Sequence, residues 1–170
     1  LKNIPRTGWL QRGIPPSIAE TVAEHSFEAA SILVGVAMEA KGRLDTEKLL
    51  MMGIMHDWGE AVAGHIPRSL TRRLGRKANS EAETLIMGEL AEESGFDAVR
   101  TIFEEYEERR SPEAVVAKVA DVLSTYRQAR AYLARGYGVG DIEKGCREEL
   151  TSLLGEVADP HMRKVLKSLV

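Results

Sequence analysis

Six prolines, at positions 5, 15, 16, 67, 112 and 160, fall so unevenly along 170 residues that three long stretches contain none. Proline breaks a helix by removing a donor and clashing with the preceding turn, so its absence over such lengths leaves helices free to run. The Pro-free stretches are rich in Ala, Leu, Glu, Met and Arg, which lose little freedom on becoming helical. No period-two apolar alternation bounded by turn residues competes with that signal. The expectation is an all-α fold, a single helical bundle over 1–170.

Apolar periodicity places the elements. A first helix is expected from Ser17 to Ala40, with Ile18, Val22, His25, Ala29, Ile32 and Val36 on one stripe. Gly42 should stop it and Asp45 should cap a second helix over Thr46 to Ala63, with Leu49, Leu50, Met52, Gly53 and His56 turned inward. Arg68 to Asn79 has many basic residues and little periodicity, and reads as an exposed loop. A third helix is expected over Ser80 to Glu93, capped by Ser80 with Glu83, then an acidic, largely exposed one over Asp97 to Arg109. Ser111-Pro112-Glu113 is a helix start with Pro in the first turn. The helix it opens, to Ala134, carries Val115, Val119, Val122 and Tyr126 on one side and Ala117, Ala120 and Ser124 on the other. Apolar and small faces together predict burial on both. Helices over Gly140 to Glu156 and His161 to Leu169 close the chain.

Composition excludes several classes. With 23 Lys+Arg against 26 Asp+Glu and a net charge of −3, the chain lacks the basic excess of a nucleic-acid binder. Its apolar fraction, 44%, is too high for a disordered chain. No apolar run approaches the ~18 residues that span a bilayer, and no signal peptide is visible. A lone cysteine, Cys146, suits a reducing compartment and reads as structural, so a cytoplasmic protein is expected. Met51, Met52 and Met55 read as core filler. The chain opens on Leu1, which leaves open whether native residues precede it.

Chemistry concentrates in few residues. His25 and His56 sit on inward faces of the first two helices, Asp57 follows His56, and Asp121 lies among small residues of the buried helix. A buried carboxylate is costly unless paired or bound to metal, and no Lys or Arg is expected beside Asp121 on its inward face. Together His25, His56, Asp57 and Asp121 read as ligands of one divalent ion. Two imidazoles and two carboxylates favour Mn, Co, Fe or Zn over Ca or Mg. Glu60, four residues beyond His56, falls on the same side of a continuous helix and could serve as general acid or base.

Glu24-His25, Met55-His56-Asp57-Trp58-Gly59-Glu60 and Ala120-Asp121 resemble the H…HD…D signature of HD-domain metal-dependent phosphohydrolases. Within that group the 5′-deoxynucleotidase branch is the nearest likeness, through Pro5-Arg6-Thr7-Gly8-Trp9, Glu24-His25-Ser26, Gly64-x-Ile66-Pro67 and Glu104-Glu105-Tyr106-Glu107. The likeness spans about Leu1 to Arg135. It implies a homodimeric, all-helical phosphomonoesterase that hydrolyses (deoxy)nucleoside 5′-monophosphates, with one transition-metal ion held by His25, His56, Asp57 and Asp121, and with Asp57 and Glu60 catalytic. It also implies substrate contacts for Arg6, which could fork onto phosphate, and for Trp9, which could pack on the sugar.

One position departs from the branch. His65 stands where an aspartate is usual, so a substrate contact there would be an imidazole, with consequences for deoxy-over-ribo selectivity. Two other readings stay open on the sequence: a nucleotide phosphodiesterase on the same metal site, or a non-catalytic, metal-stabilised nucleotide-binding oligomer. The apolar positions of the last helices (Leu150, Leu153, Val157, Leu166 and Leu169) exceed one packing face and predict a homodimer.

Overall fold

The chain, described here from a computed structural model for residues 1–67, 73 and 75–170, is all-α, with no strand among the described residues. In order the helices are α1 Thr7–Leu10, α2 Val22–Ala40, α3 Thr46–Met55, α4 Glu60–Ala63, α5 Arg76–Ser94, α6 Ala98–Glu107, α7 Pro112–Ala134, α8 Gly140–Glu156 and α9 Pro160–Lys167. Helix α7 is the axis, packed against α2, α3, α6 and α8. It starts as expected, with the Ser111 hydroxyl accepting from the Ala114 N–H and Pro112 in the first turn. Both its faces are buried, including Val115, Val119 and Val122 on one side and Ala117, Ala120 and Ser124 on the other.

Several boundaries differ from the sequence reading. Helix α2 begins at Val22, because Thr21 and Glu24 close a reciprocal capping box that fixes the start. Ile18 therefore lies ahead of the helix and is exposed. Asp45 caps α3 by accepting from the Lys48 N–H. The helix expected to run on to Ala63 instead ends at Met55, with His56 as its C-cap. The chain stays wound through the break by i→i+3 bonds, Trp58 N to Met55 O and Glu60 N to Asp57 O. Gly64, at φ +71, ends α4 in a conformation that favours glycine.

Helix α5 starts at Arg76 behind a Gly75 N-cap, so Ser80 lies inside it and caps nothing. The exposed loop expected over Arg68 to Asn79 is overturned in its last part, because positions 76–79 form the first turn of α5; positions 68–72 and 74 lie outside the described residues. Helix α6 is more buried than its acidic sequence predicts, since Phe103 and Tyr106 turn into the core. Met52 and Met55 are core, whereas Met51 is exposed.

The N-terminal segment is strapped to the bundle. Arg6 N donates to Glu20 O at 2.9 Å and Val22 N to Ile4 O at 2.9 Å, giving one isolated antiparallel bridge. Trp9, Ile14 and Ala19 pack on Ala129, Tyr132 and Val139 as a separate apolar cluster. The Tyr132 hydroxyl accepts from the Glu20 N–H and donates to Ile18 O, both at 2.8 Å.

The last helices do not carry surplus apolar surface. Leu150, Leu153, Val157 and Leu166 are buried in one core with residues of α2, α3 and α7, α8 packing on α7 and α9 on α2, and Leu169 packs on the same core. Exposed apolar side chains that neighbour one another sit elsewhere, among them Phe27, Val34 and Met38 on α2 and Met51 and Ile54 on α3; Val62, Leu85 and Phe96 are exposed at other places.

Tyr132→Phe should lower stability by about 1–3 kcal/mol, because it strands a buried N–H and a carbonyl while keeping the ring. Thermal unfolding of the two proteins measures this, and equal melting temperatures would show that the strap does not depend on the hydroxyl.

Candidate metal centre

Three separate elements bring the histidines and aspartates together. His25 projects from the first turn of α2, His56 and Asp57 from the break after α3, and Asp121 from the middle of α7. His25 Nε2 lies 3.1 Å from Asp121 Oδ1, 3.6 Å from Asp57 Oδ2 and 3.4 Å from His56 Nε2. His56 Nε2 is 3.4 Å from Asp57 Oδ2. Ligand atoms about 2.0–2.2 Å from one ion stand roughly 3–3.5 Å from each other, so these spacings suit a shared cation. His25, His56 and Asp121 form a buried group that could hold a metal ion, and Asp57 Oδ2 lies beside it.

Surrounding bonds orient the rings. His56 Nδ1 faces Gly53 O at 3.0 Å; a carbonyl only accepts, so Nδ1 carries a proton and Nε2 is the nitrogen turned to the centre. His25 Nδ1 lies 3.1 Å from Ser124 Oγ, which donates onward to Glu28 Oε2 at 3.2 Å. That chain accepts the Nδ1 proton whenever Nε2 gives its lone pair to a ligand. Arg6 Nη1 also lies 3.0 Å from His25 Nδ1, a bond open only to the other tautomer.

Both carboxylates are held ionised. Burial pushes Asp121 up, but Lys118 and His25 outweigh it and keep it well below the usual range. Burial likewise opposes ionisation of Asp57, and His56, His25 and Arg6 win. The expectation that no cation stands beside Asp121 was wrong. Lys118, one turn earlier on α7, reaches back with its flexible stem and sets Nζ 2.8 Å from Asp121 Oδ2. Tyr106 of α6 donates to the same oxygen at 3.1 Å.

Glu60 stays close to the centre although the helix is broken before it. Burial and the nearby Asp57 push its carboxyl up to about 9, so it is protonated at neutral pH. Its Oε2 is buried with no hydrogen-bond partner among the described residues.

Arg6 is bound on several sides: Nη1 to Thr125 Oγ1 at 2.9 Å and Glu20 Oε2 at 3.4 Å, and Nε to His65 Nε2 at 3.3 Å. The Thr7 N–H points at His65 Nδ1 from 3.2 Å. Burial and Arg6 pull His65 down to about 4, so the ring is neutral and can accept at only one nitrogen. Trp9 is not placed to stack on a sugar. It is 2% exposed, its indole N–H donates to Glu20 Oε2 at 2.9 Å, and its ring meets Tyr132 edge-on. Burial of the large ring makes it the anchor of the strap that delivers Arg6.

Sequence reasoning missed Lys118, Tyr106, Ser124, Glu28, Glu20 and Thr125 as partners of the centre. Lys118, Ser124 and Thr125 stand three or four residues from Asp121, and Glu28 three from His25, so helical spacing was the signal for these four; Tyr106 and Glu20 come from other elements.

The HD domain family matches residues 1–154, nearly the whole helical bundle and every residue of this centre. The chain belongs to the HD domain family. Members of this family bind divalent metals, which agrees with the donor set found here. This HD domain is 26% identical over 170 residues to the 5′-deoxynucleotidase HDDC2 of Danio rerio, covering 99% of the chain and 80% of the relative. It is 28% identical over 154 residues to the 5′-deoxynucleotidase hdd1 of Schizosaccharomyces pombe, covering 85% and 73%. Among solved structures, a conserved hypothetical protein of Pyrococcus furiosus superposes with a TM-score of 0.81 at 30% identity, covering 99% of this HD domain and 92% of that chain. A second, from Pyrococcus horikoshii, gives 0.81 at 32% identity with the same coverage.

A group of His25, His56 and Asp121 able to hold one metal ion predicts about one divalent ion per chain in protein purified without chelator. Asp121→Ala should lose it and keep its helical circular dichroism; full occupancy in that variant, by elemental analysis, would remove Asp121 from the ligand set.

Proposed function

We propose that this HD domain is a metal-dependent phosphomonoesterase that hydrolyses (deoxy)nucleoside 5′-monophosphates to nucleoside and phosphate. The observation that carries the reading is the convergence of His25, His56, Asp57 and Asp121 beside one guanidinium, Arg6, and one protonated carboxyl, Glu60. The kinship with proteins named 5′-deoxynucleotidases supports the substrate class. In this reading His25, His56, Asp57 and Asp121 hold one Mn, Co, Fe or Zn ion. Such an ion, when bound, supplies Lewis-acid activation of water and of the phosphoryl group.

The remaining work falls to the chain. Arg6 binds the phosphate oxygens, and its N-terminal strap holds it at the centre. Glu60 donates its proton to the departing 5′-oxygen, which would otherwise leave as an alkoxide. Asp57 is both a ligand and the neighbour whose charge adds to burial in keeping Glu60 protonated. His65 acts on substrate selection through Arg6 and Thr7: a neutral ring satisfies one of the two donors facing it, where an aspartate would accept both and pair with Arg6.

Phosphate release from the full set of ribo- and deoxynucleoside monophosphates, repeated with Mn, Co, Fe and Zn, tests the assignment; no release from any of them would refute it. Glu60→Gln should lower kcat by roughly 10²–10⁴-fold. The native enzyme needs the acid form, so its activity should fall as pH rises through the Glu60 pKa, a limb that Glu60→Gln should lack. His65→Asp should raise the deoxy-over-ribo ratio of kcat/KM, and an unchanged ratio would take His65 out of selection.

A homodimer is part of the same proposal, on a different surface from the one the sequence suggested. Phe27, Val34 and Met38 recur at helical spacing along α2, and Met51 and Ile54 extend the exposed apolar surface onto α3, which packs beside it. Sedimentation at micromolar concentration should give a dimer for the native chain and a monomer for Met38→Glu. A native monomer would refute this assembly.

A further inference from the structure

The contacts of Asp121 divide its two oxygens. Oδ2 accepts from the Lys118 ammonium at 2.8 Å and from the Tyr106 hydroxyl at 3.1 Å. Oδ1 faces His25 Nε2 at 3.1 Å and so looks into the centre. Lys118 Nζ also lies 3.4 Å from the Tyr106 oxygen, and the Tyr106 ring packs against His56 with centroids 5.6 Å apart. One clamp therefore joins α6 and α7 and touches two of the metal-site residues.

We propose that Lys118 and Tyr106 are positioning residues that hold Asp121 to a single ion-facing oxygen, and that this pose selects a compact transition ion over calcium. The proposal rests on the metal reading given above. For Asp121 to grip an ion with both oxygens, Oδ2, whose two lone pairs accept from an ammonium and a phenol, must give up one of those bonds. Calcium takes roughly 6–8 oxygen ligands at about 2.3–2.6 Å and often uses a carboxylate through both oxygens. A transition ion is satisfied by one oxygen and by the two imidazoles already present. A merely charge-balancing Lys118 would behave differently: its repulsion acts alike on any two dications and cancels in the ratio of their affinities.

That ratio is the test. Calcium is titrated into the full chain loaded with cobalt, and loss of the visible absorption of bound Co²⁺ gives the two affinities relative to each other. Lys118→Met and Tyr106→Phe should each lower the preference for cobalt by about tenfold or more, as loss of a bond that orients a ligand typically does. Their cobalt bands should change in intensity as Asp121 gains freedom to bind through both oxygens. Lys118→Arg keeps a donor on Oδ2 and should retain the native preference. Unchanged ratios in variants with native circular dichroism would overturn the proposal. Should Lys118→Met fail to fold, Tyr106→Phe, which keeps the ring, decides alone. Failure of the native chain to take up cobalt would overturn the metal reading and this inference with it; cobalt uptake with unaltered ratios would overturn the inference only.

Discussion

A single buried carboxylate organises this molecule. Asp121 sits midway along α7, the helix on which most of the bundle packs, where an unpartnered charge would be strongly destabilising. Its partners come from three directions: Lys118 from its own helix, Tyr106 from α6 and His25 from α2. Burial that would neutralise the group is outweighed by those partners. The same contacts that make the charge tolerable in the core leave one oxygen turned toward two imidazoles and a second carboxylate. Stability of the core and readiness for a cation thus share one set of bonds.

Around that centre the chain is arranged in two further layers of support. One is the break between α3 and α4, which ends a helix at His56 yet keeps the backbone wound, so that Asp57 meets His56 and Glu60 remains close enough to feel Asp57. The other is the N-terminal strap. Trp9 and Tyr132 bury a small apolar cluster, Glu20 accepts from both Trp9 and Arg6, and the guanidinium is thereby carried to the edge of the histidines. A residue expected to touch substrate, Trp9, instead serves the residue that reaches the centre.

Buried charge also explains why Glu60 behaves unlike its neighbours. Asp57 and Asp121 have cations or imidazoles against them and stay ionised, whereas Glu60 has burial and the Asp57 charge to contend with, and holds its proton. Three carboxyl groups in one region thus divide into two anions and one acid by environment alone. That division suits a reaction needing a cation pocket on one side and a proton donor on the other.

Much of this was legible in the linear sequence, because it depends on local rules. Pro-free stretches of helix formers determined the all-α class; Ser111-Pro112 set the start of α7, and Asp45 that of α3. The pairing of small and apolar faces on α7 predicted its double burial, and the H…HD…D order marked His25, His56, Asp57 and Asp121. What lay beyond reach depended on which helices meet. Tyr106 shares the helical stripe of Val99, Ile102 and Phe103, a signal masked by the acidic residues around it, but that its hydroxyl meets Asp121 follows only from the packing of α6 on α7. Trp9 could be read as a substrate platform until the last turns of α7 covered it. The apolar residues of α8 and α9 looked surplus until packing on α7 and α2 buried them, leaving the exposed stripe on α2 instead. Periodicity specifies which face of a helix is apolar, but the neighbour that covers the face, and the bonds a buried charge finds there, are fixed only by tertiary packing.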